Sequence, residues 1–154
     1  MKNNPIEVIK KTADELLGLM QVSGNIEVVE ETSHVYEVNV DAGEANGLLI
    51  GKRGDTINSL QYVLGILLRK DLTDEDRVIV NVGDYREKQE DYLKNLAQET
   101  AARARETGQE QALYNLTPAQ RRIVHMELSE ESDIVTESQG EGDERYLIVK
   151  PSSK

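Results

Sequence analysis

Ile50-Gly51-Lys52-Arg53-Gly54-Asp55-Thr56-Ile57 is the stretch on which the fold of this chain turns. Two glycines three apart let the backbone reverse without a β-carbon in the way and let a ligand's backbone come close. Between them sit two cations. Directly afterwards Ile57, Leu60, Val63, Leu64, Leu67 and Leu68 recur at helical spacing, the most regular apolar stripe in the sequence, with Asp55 placed to cap the helix. Unpaired N–H groups in a first helical turn attract an anion, so a phosphate fits between that turn and the Lys52/Arg53 pair. Gly65, inside the same helix, costs about 1 kcal/mol relative to alanine and implies a close packing contact.

Upstream of the loop, Ile6, Ile9, Ala13, Leu16, Leu17 and Met20 mark one face of a first helix, stopped by Ser23-Gly24-Asn25. Residues 26–31 and 35–40 alternate in the manner of strands and flank Thr32-Ser33-His34, which predicts a β-hairpin. A short helical stretch, 44–49, leads into the loop. Downstream lies the acidic segment Asp71 to Asp76, expected as a solvated face, and then Arg77 to Val82 reads as a third strand. Gly83-Asp84 marks a boundary. A long helix from Tyr85 to Thr107 follows, about 35 Å in length, with Tyr92, Leu93, Leu96, Thr100 and Ala104 on its buried side and Gly108 at its end. Residues 112–116 suggest a short strand. Thr117-Pro118-Ala119-Gln120 has the chemistry of a helix start, with Thr as cap, Pro in the first turn and Gln three residues on. That helix carries Arg121-Arg122-Ile123-Val124-His125. Strands at 134–138 and 145–149, joined by a glycine-containing acidic turn, complete the chain.

Composition restricts what these elements can do. Among 154 residues, 18 Lys and Arg face 29 Asp and Glu, a formal net charge of −11, so a polyanion is not held by the surface as a whole and any such site is local. With no Phe, no Trp and six Tyr, a broad aromatic stacking platform is disfavoured. The absence of cysteine removes disulfides and thiolate chemistry and fits a reducing cytoplasm. No stretch approaches the roughly 20 apolar residues of a membrane span, so no membrane insertion is expected. No carboxylate pair, His-carboxylate motif or ligand cluster points to catalysis, a metal or a cofactor; His34 in its hairpin turn has no second ligand nearby in sequence. A P-loop is excluded by spacing, because Gly47 is too close to Gly51 and Arg53 stands where Ser or Thr is required.

The order helix, strand, strand, helix, glycine loop, helix, strand, with Ile-Gly-Lys-Arg-Gly-x-x-Ile at its centre, resembles a type II KH domain. The second half resembles the R-three-H domain, on Arg121 and His125 in Arg-x-x-x-His spacing and on Arg145 opening the last strand after a Gly-rich turn. The two together, joined by Gly83-Asp84-Tyr85-Arg86, resemble the Jag, or SpoIIIJ-associated, family over essentially the whole chain. The resemblance implies an α+β architecture: a type II KH domain over residues 1–83, a three-stranded sheet with helices on one face, then a small α/β R-three-H-like domain over 84–154, with 84–107 as connecting helix. Family members often carry an extra N-terminal Jag domain and linker, and neither is expected here.

The resemblance also implies function. About four single-stranded nucleotides are expected along a groove between the loop, its neighbouring helices and the hairpin-side strand. Gly51, Lys52, Arg53 and Gly54 are expected at phosphates, and Leu49, Ile50 and Ile57 are expected to offer apolar surface to bases. In the second domain Arg121 and His125, four residues apart, are expected to project from one face towards the same phosphate or base, with Arg145 nearby. Arg122 is counted with this nucleic-acid-binding set although it points elsewhere on the helix, with a salt bridge as its alternative reading. A solvated basic pair is the alternative for the Arg-x-x-x-His signature alone. The family further implies a cytoplasmic regulator that binds single-stranded RNA, or single-stranded DNA, after transcription, linked to bacterial cell elongation or division. A second reading is a protein-interaction scaffold that forms a homodimer or pairs with a small KH-only protein.

Overall fold

In a computed structural model that describes residues 4–153, the chain divides into two compact units, one up to Arg86 and one from Glu87. The first two residues of the long helix remain with the first unit. Tyr85 packs against its core, and the Arg86 side chain bonds back to Val80 and Gln61.

The first unit opens with α1 (Pro5–Leu19), capped by the Asn4 side chain and begun by proline, so both start signals act at once. Strands β1 (Asn25–Thr32) and β2 (Val35–Asp41) form the expected hairpin. A single 3-10 turn and α2 (Asn46–Ile50) lead to the glycine loop, then α3 (Asp55–Leu68) and β3 (Arg77–Val82). The sheet order is β1-β2-β3. β3 lies parallel to β2, with Val38 beside Val80 and Val40 beside Val82. Parallel neighbours need a crossover, and α2, the loop and α3 supply it. Tyr36, Val38, Val40, Val80 and Val82 share one face and meet Ile9, Ala13 and Leu17 of α1 and Leu60, Leu64 and Leu68 of α3 in one core.

Three expectations are corrected here. The helix cap before α3 is Gly54, not Asp55, whose side chain makes no capping bond. A β-carbon on Gly65 meets nothing within 4 Å, so this glycine answers to no packing contact inside the unit. The segment 71–76 is not merely a solvated acidic face. Asp76 accepts from the backbone N–H of Thr73 at 2.7 Å and from His34 Nδ1 at 2.8 Å, and Glu75 lies 3.7 Å from His34 Nε2. His34 therefore latches the hairpin turn to the loop before β3.

That latch is pH-dependent. The hydrogen bond to Asp76 raises the His34 imidazole pKa, and the Thr73 N–H together with His34 lowers that of Asp76. For His34 the stabilisation is complete below the unfolded imidazole pKa and disappears as pH rises through the raised folded one. For Asp76 it is complete above the unfolded carboxyl pKa and disappears as pH falls through the depressed folded one. The pair is thus strongest in the mildly acidic window between the two. Asp76→Asn is expected to bring the His34 midpoint down towards its ordinary value in an NMR titration of the imidazole protons. An unmoved midpoint would remove Asp76 as the cause.

The second unit is built on α4 (Tyr85–Thr107), β4 (Gln111–Leu113), α5 (Pro118–Leu128), β5 (Ile134–Gln139) and β6 (Tyr146–Pro151). The last strand inserts between the other two, giving the order β4-β6-β5, antiparallel throughout. Leu93, Ala97, Ala101 and Ala104 of α4 pack with Val124, Leu128, Ile134, Leu147 and Val149. Tyr92, expected on the buried side of α4, is exposed. Leu93, Thr100 and Ala104 are buried as expected, and the small residues Ala97 and Ala101, which carry little apolar signal on sequence, complete that side. At α5 the Thr117 hydroxyl accepts from the Gln120 N–H, while the Gln120 side chain accepts from the Thr117 N–H, the reciprocal cap expected from sequence.

Candidate nucleic-acid interface

The loop is fixed by its own backbone. Gly51 adopts φ +71°, ψ −175°, Arg53 φ +55° and Gly54 φ +80°, three positive-φ residues in four. The Gly51 N–H closes α2 on the Gly47 carbonyl at 3.0 Å. A β-carbon on Gly51 would overlap the Thr56 hydroxyl, and one on Gly54 would overlap the Tyr85 hydroxyl. The glycines are therefore required by the chain's own packing, not only by a ligand's approach. Lys52 and Arg53 lie at the tip, both exposed. Gly54 is buried and, having no side chain, leaves the start of α3 without a side-chain cap. Two exposed cations beside an uncapped helix start form an anion-attracting corner, which Asp55 in the first turn opposes in part.

The apolar residues around this loop are arranged differently from expectation. Leu49 and Ile57 are 0% and 3% exposed and belong to the core, so neither presents surface to a base. They flank the loop because each anchors its own helix in the core, Leu49 for α2 and Ile57 for α3. Ile50 is half-buried, while Leu48 is 64% exposed and is the residue of α2 that faces outward. The strand beside α3 is β3, an edge strand, not a strand of the hairpin. Between α3 and β3 runs a groove lined by Asn58, Gln61, Tyr62, Gly65, Ile66 and Val78, with Arg69 at one end. Sequence reasoning misses these polar residues because they sit beside the apolar stripe and match no motif.

In the second unit the expected cluster separates. Arg121 is 9% exposed, and its Nη1 donates to the carbonyls of Leu116 at 2.7 Å and Arg145 at 3.2 Å. Its guanidinium ties the start of α5 to the start of β6, so it does not project beside His125. His125 is exposed and pairs through Nδ1 with the Thr136 hydroxyl of β5. Arg122 turns the other way, into a groove between α4 and α5 that also holds Glu90, Lys94, Glu127, Glu130 and Glu131. The Arg145 side chain is exposed, and only its carbonyl meets Arg121. Arg121→Ala is expected to strand both carbonyls and destabilise the unit by about 2–3 kcal/mol, read as a lower urea midpoint. His125→Ala, on the surface, is expected to leave that midpoint in place. Equal effects would overturn this division of roles.

The first unit's element order, its parallel β2/β3 pair and its glycine loop define a KH module, here followed by a second α/β module carrying Arg-x-x-x-His. The chain belongs to the KhpA/KhpB family of KH domains, whose family model matches residues 6–82, and the R-three-H domain model matches residues 91–151. Similar proteins include the RNA-binding protein KhpB of Clostridium symbiosum, 32% identical over 97% of this chain and 65% of that protein. KhpB of Lactiplantibacillus plantarum is 32% identical over 79% of this chain and 41% of its own length, and KhpB of Bacillus subtilis 31% over 83% and 62%. The chain thus spans less than two thirds of each of these relatives. Among the described residues, no His, Asp or Glu cluster of three or more is placed to hold a metal, and no helix is long and apolar enough to cross a membrane.

Proposed function

We propose that this chain binds single-stranded RNA, with the KH loop as its principal grip and the R-three-H module as a second, weaker contact. The observation that carries the reading is the corner at residues 51–54: Lys52 and Arg53 exposed and, among the described residues, unpaired, next to an α3 start that no side chain caps. Relatives named as RNA-binding proteins support it. His125 and the Arg145 side chain supply the surface contacts of the second module, with Arg121 as their scaffold. The family resemblance extends the role to post-transcriptional regulation in the cytoplasm, tied to cell elongation or division and without catalysis. Ultraviolet crosslinking to a short single-stranded RNA with peptide mapping tests the reading. Crosslinks are expected at residues 51–54 and along α3, and a crosslink pattern that avoids them would overturn it.

A second reading is favoured by one specific feature. Tyr62, Val63, Ile66 and Leu67 of α3 are 40–72% exposed, and Leu19 of α1 is 85% exposed. This apolar surface, on a chain of net charge −11, suits pairing of the KH module with another KH module, either a second copy or a small KH-only protein. Sedimentation velocity separates the readings. A dimer that recovers no RNA crosslinks favours the scaffold.

A further inference from the structure

We propose that Arg86, held in position by Gln61, reads a guanine base at the edge of β3. The inference rests on the single-strand RNA reading above and adds a specificity to it.

In β3 the Arg77 N–H donates to the His34 carbonyl at 2.7 Å, towards β2. Residues of a strand alternate in the side to which their amide groups point. Val78, Val80 and Val82 therefore direct theirs outward, along the open edge beside the groove. At Val80 that edge is already occupied. The Val80 N–H donates to Gln61 Oε1 at 3.0 Å, the Val80 carbonyl accepts from Arg86 Nε at 2.9 Å, and Arg86 Nη2 donates to the same Gln61 Oε1 at 3.0 Å. The three groups form a closed ring. A bare edge would offer a ligand one donor and one acceptor, whereas this one offers only guanidinium donors.

Arg86 is exposed, and its backbone N–H is anchored to Asn81 Oδ1 at 3.4 Å. Of its five guanidinium N–H groups, one on Nε and one on Nη2 are spent in the ring. The outer Nη1/Nη2 side keeps its parallel N–H pair, unpaired among the described residues. A paired donor fork matches the N7 and O6 acceptors of guanine. Adenine sets an amino donor beside N7 and uracil sets N3–H between its two carbonyls, so each loses one bond. Among the other bases only cytosine, at N3 and O2, presents a second adjacent acceptor pair, and guanine differs from it in the larger ring it offers for stacking. Gln61 also lines the α3/β3 groove, where Tyr62, 72% exposed, gives a base a ring to stack on.

The test uses the whole chain and short single-stranded RNAs identical except at one position, which carries guanine, 7-deazaguanine or adenine. Binding is read by fluorescence anisotropy and the fold by thermal melting. Wild type is expected to prefer guanine at one position about tenfold over both 7-deazaguanine, which lacks N7, and adenine. Arg86→Lys keeps the charge but not the fork, and Gln61→Ala frees the guanidinium; each is expected to shrink the preference below about threefold while the chain still binds. A preference that survives in both variants would overturn the proposal. So would loop-dependent binding with no discrimination against 7-deazaguanine at any position, although the RNA reading would then stand. No binding of any RNA by wild type would overturn both.

Discussion

Reversing both cations at the loop tip, Lys52→Asp with Arg53→Asp, is expected to weaken binding of short single-stranded RNA by roughly several hundredfold, with the melting temperature within about 2 °C of wild type. The size follows from charge. Each reversal removes an attraction to phosphate and adds a repulsion, and at about 1 kcal/mol per close pair in water the double change approaches 3–4 kcal/mol. The preserved stability follows from the structure. Both side chains are exposed and, among the described residues, neither makes a hydrogen bond or ion pair. Arg53 has φ +55°, and aspartate is one of the few residues that tolerates this region. Unchanged affinity on an intact fold would place the binding surface elsewhere. A salt titration adds an independent check. Because so few cations are free to face a ligand, the slope of log K against log salt should correspond to about two to four phosphates and flatten in the double variant.

The parts of this molecule that can be read from sequence are those governed by local chemistry. β3 occupies 77–82 and α4 runs from Tyr85 to Thr107, both as expected, and the reciprocal Thr117/Gln120 cap starts α5. Each depends on residues within a few positions of one another. The directions of side chains are less legible. Arg121 and His125 share a helical face by spacing alone, but the carbonyl of Arg145, 24 residues away, draws Arg121 inward. His34 finds Asp76 across 42 residues, and no pattern near either residue announces the pair. Leu49 and Ile57 flank the glycine loop and so suggest a ligand surface, yet burial in the core is the ordinary fate of such residues beside a sheet. The same long-range geometry creates the Gln61/Arg86 ring, whose members are 25 residues apart.

Gly51→Ala should act in the opposite way to the charge reversal, abolishing binding by unfolding the KH module. Gly51 sits at φ +71°, ψ −175°, a region in which a residue with a β-carbon is strained by about 1–3 kcal/mol. Strain is only part of the cost. The added methyl would overlap the Thr56 hydroxyl and lie 2.8 Å from the Thr56 Cβ and 2.9 Å from its backbone nitrogen. A rotamer change moves the hydroxyl aside, but the Cβ and nitrogen are fixed in the first turn of α3, so relief requires shifting the helix that carries Leu60, Leu64 and Leu68 into the core. Together these effects should exceed about 3 kcal/mol, which for a unit of this size lowers the melting temperature by more than about 10 °C. Gly54→Ala, at φ +80°, should cost less, because the atom it meets is the hydroxyl end of the Tyr85 side chain rather than backbone. Differential scanning calorimetry of the three variants orders them. If Gly51→Ala melts with wild type and still loses RNA, the glycine is serving the ligand's approach; if it melts early, the loop's shape is set by the fold and, within the loop, its two cations are what faces the RNA.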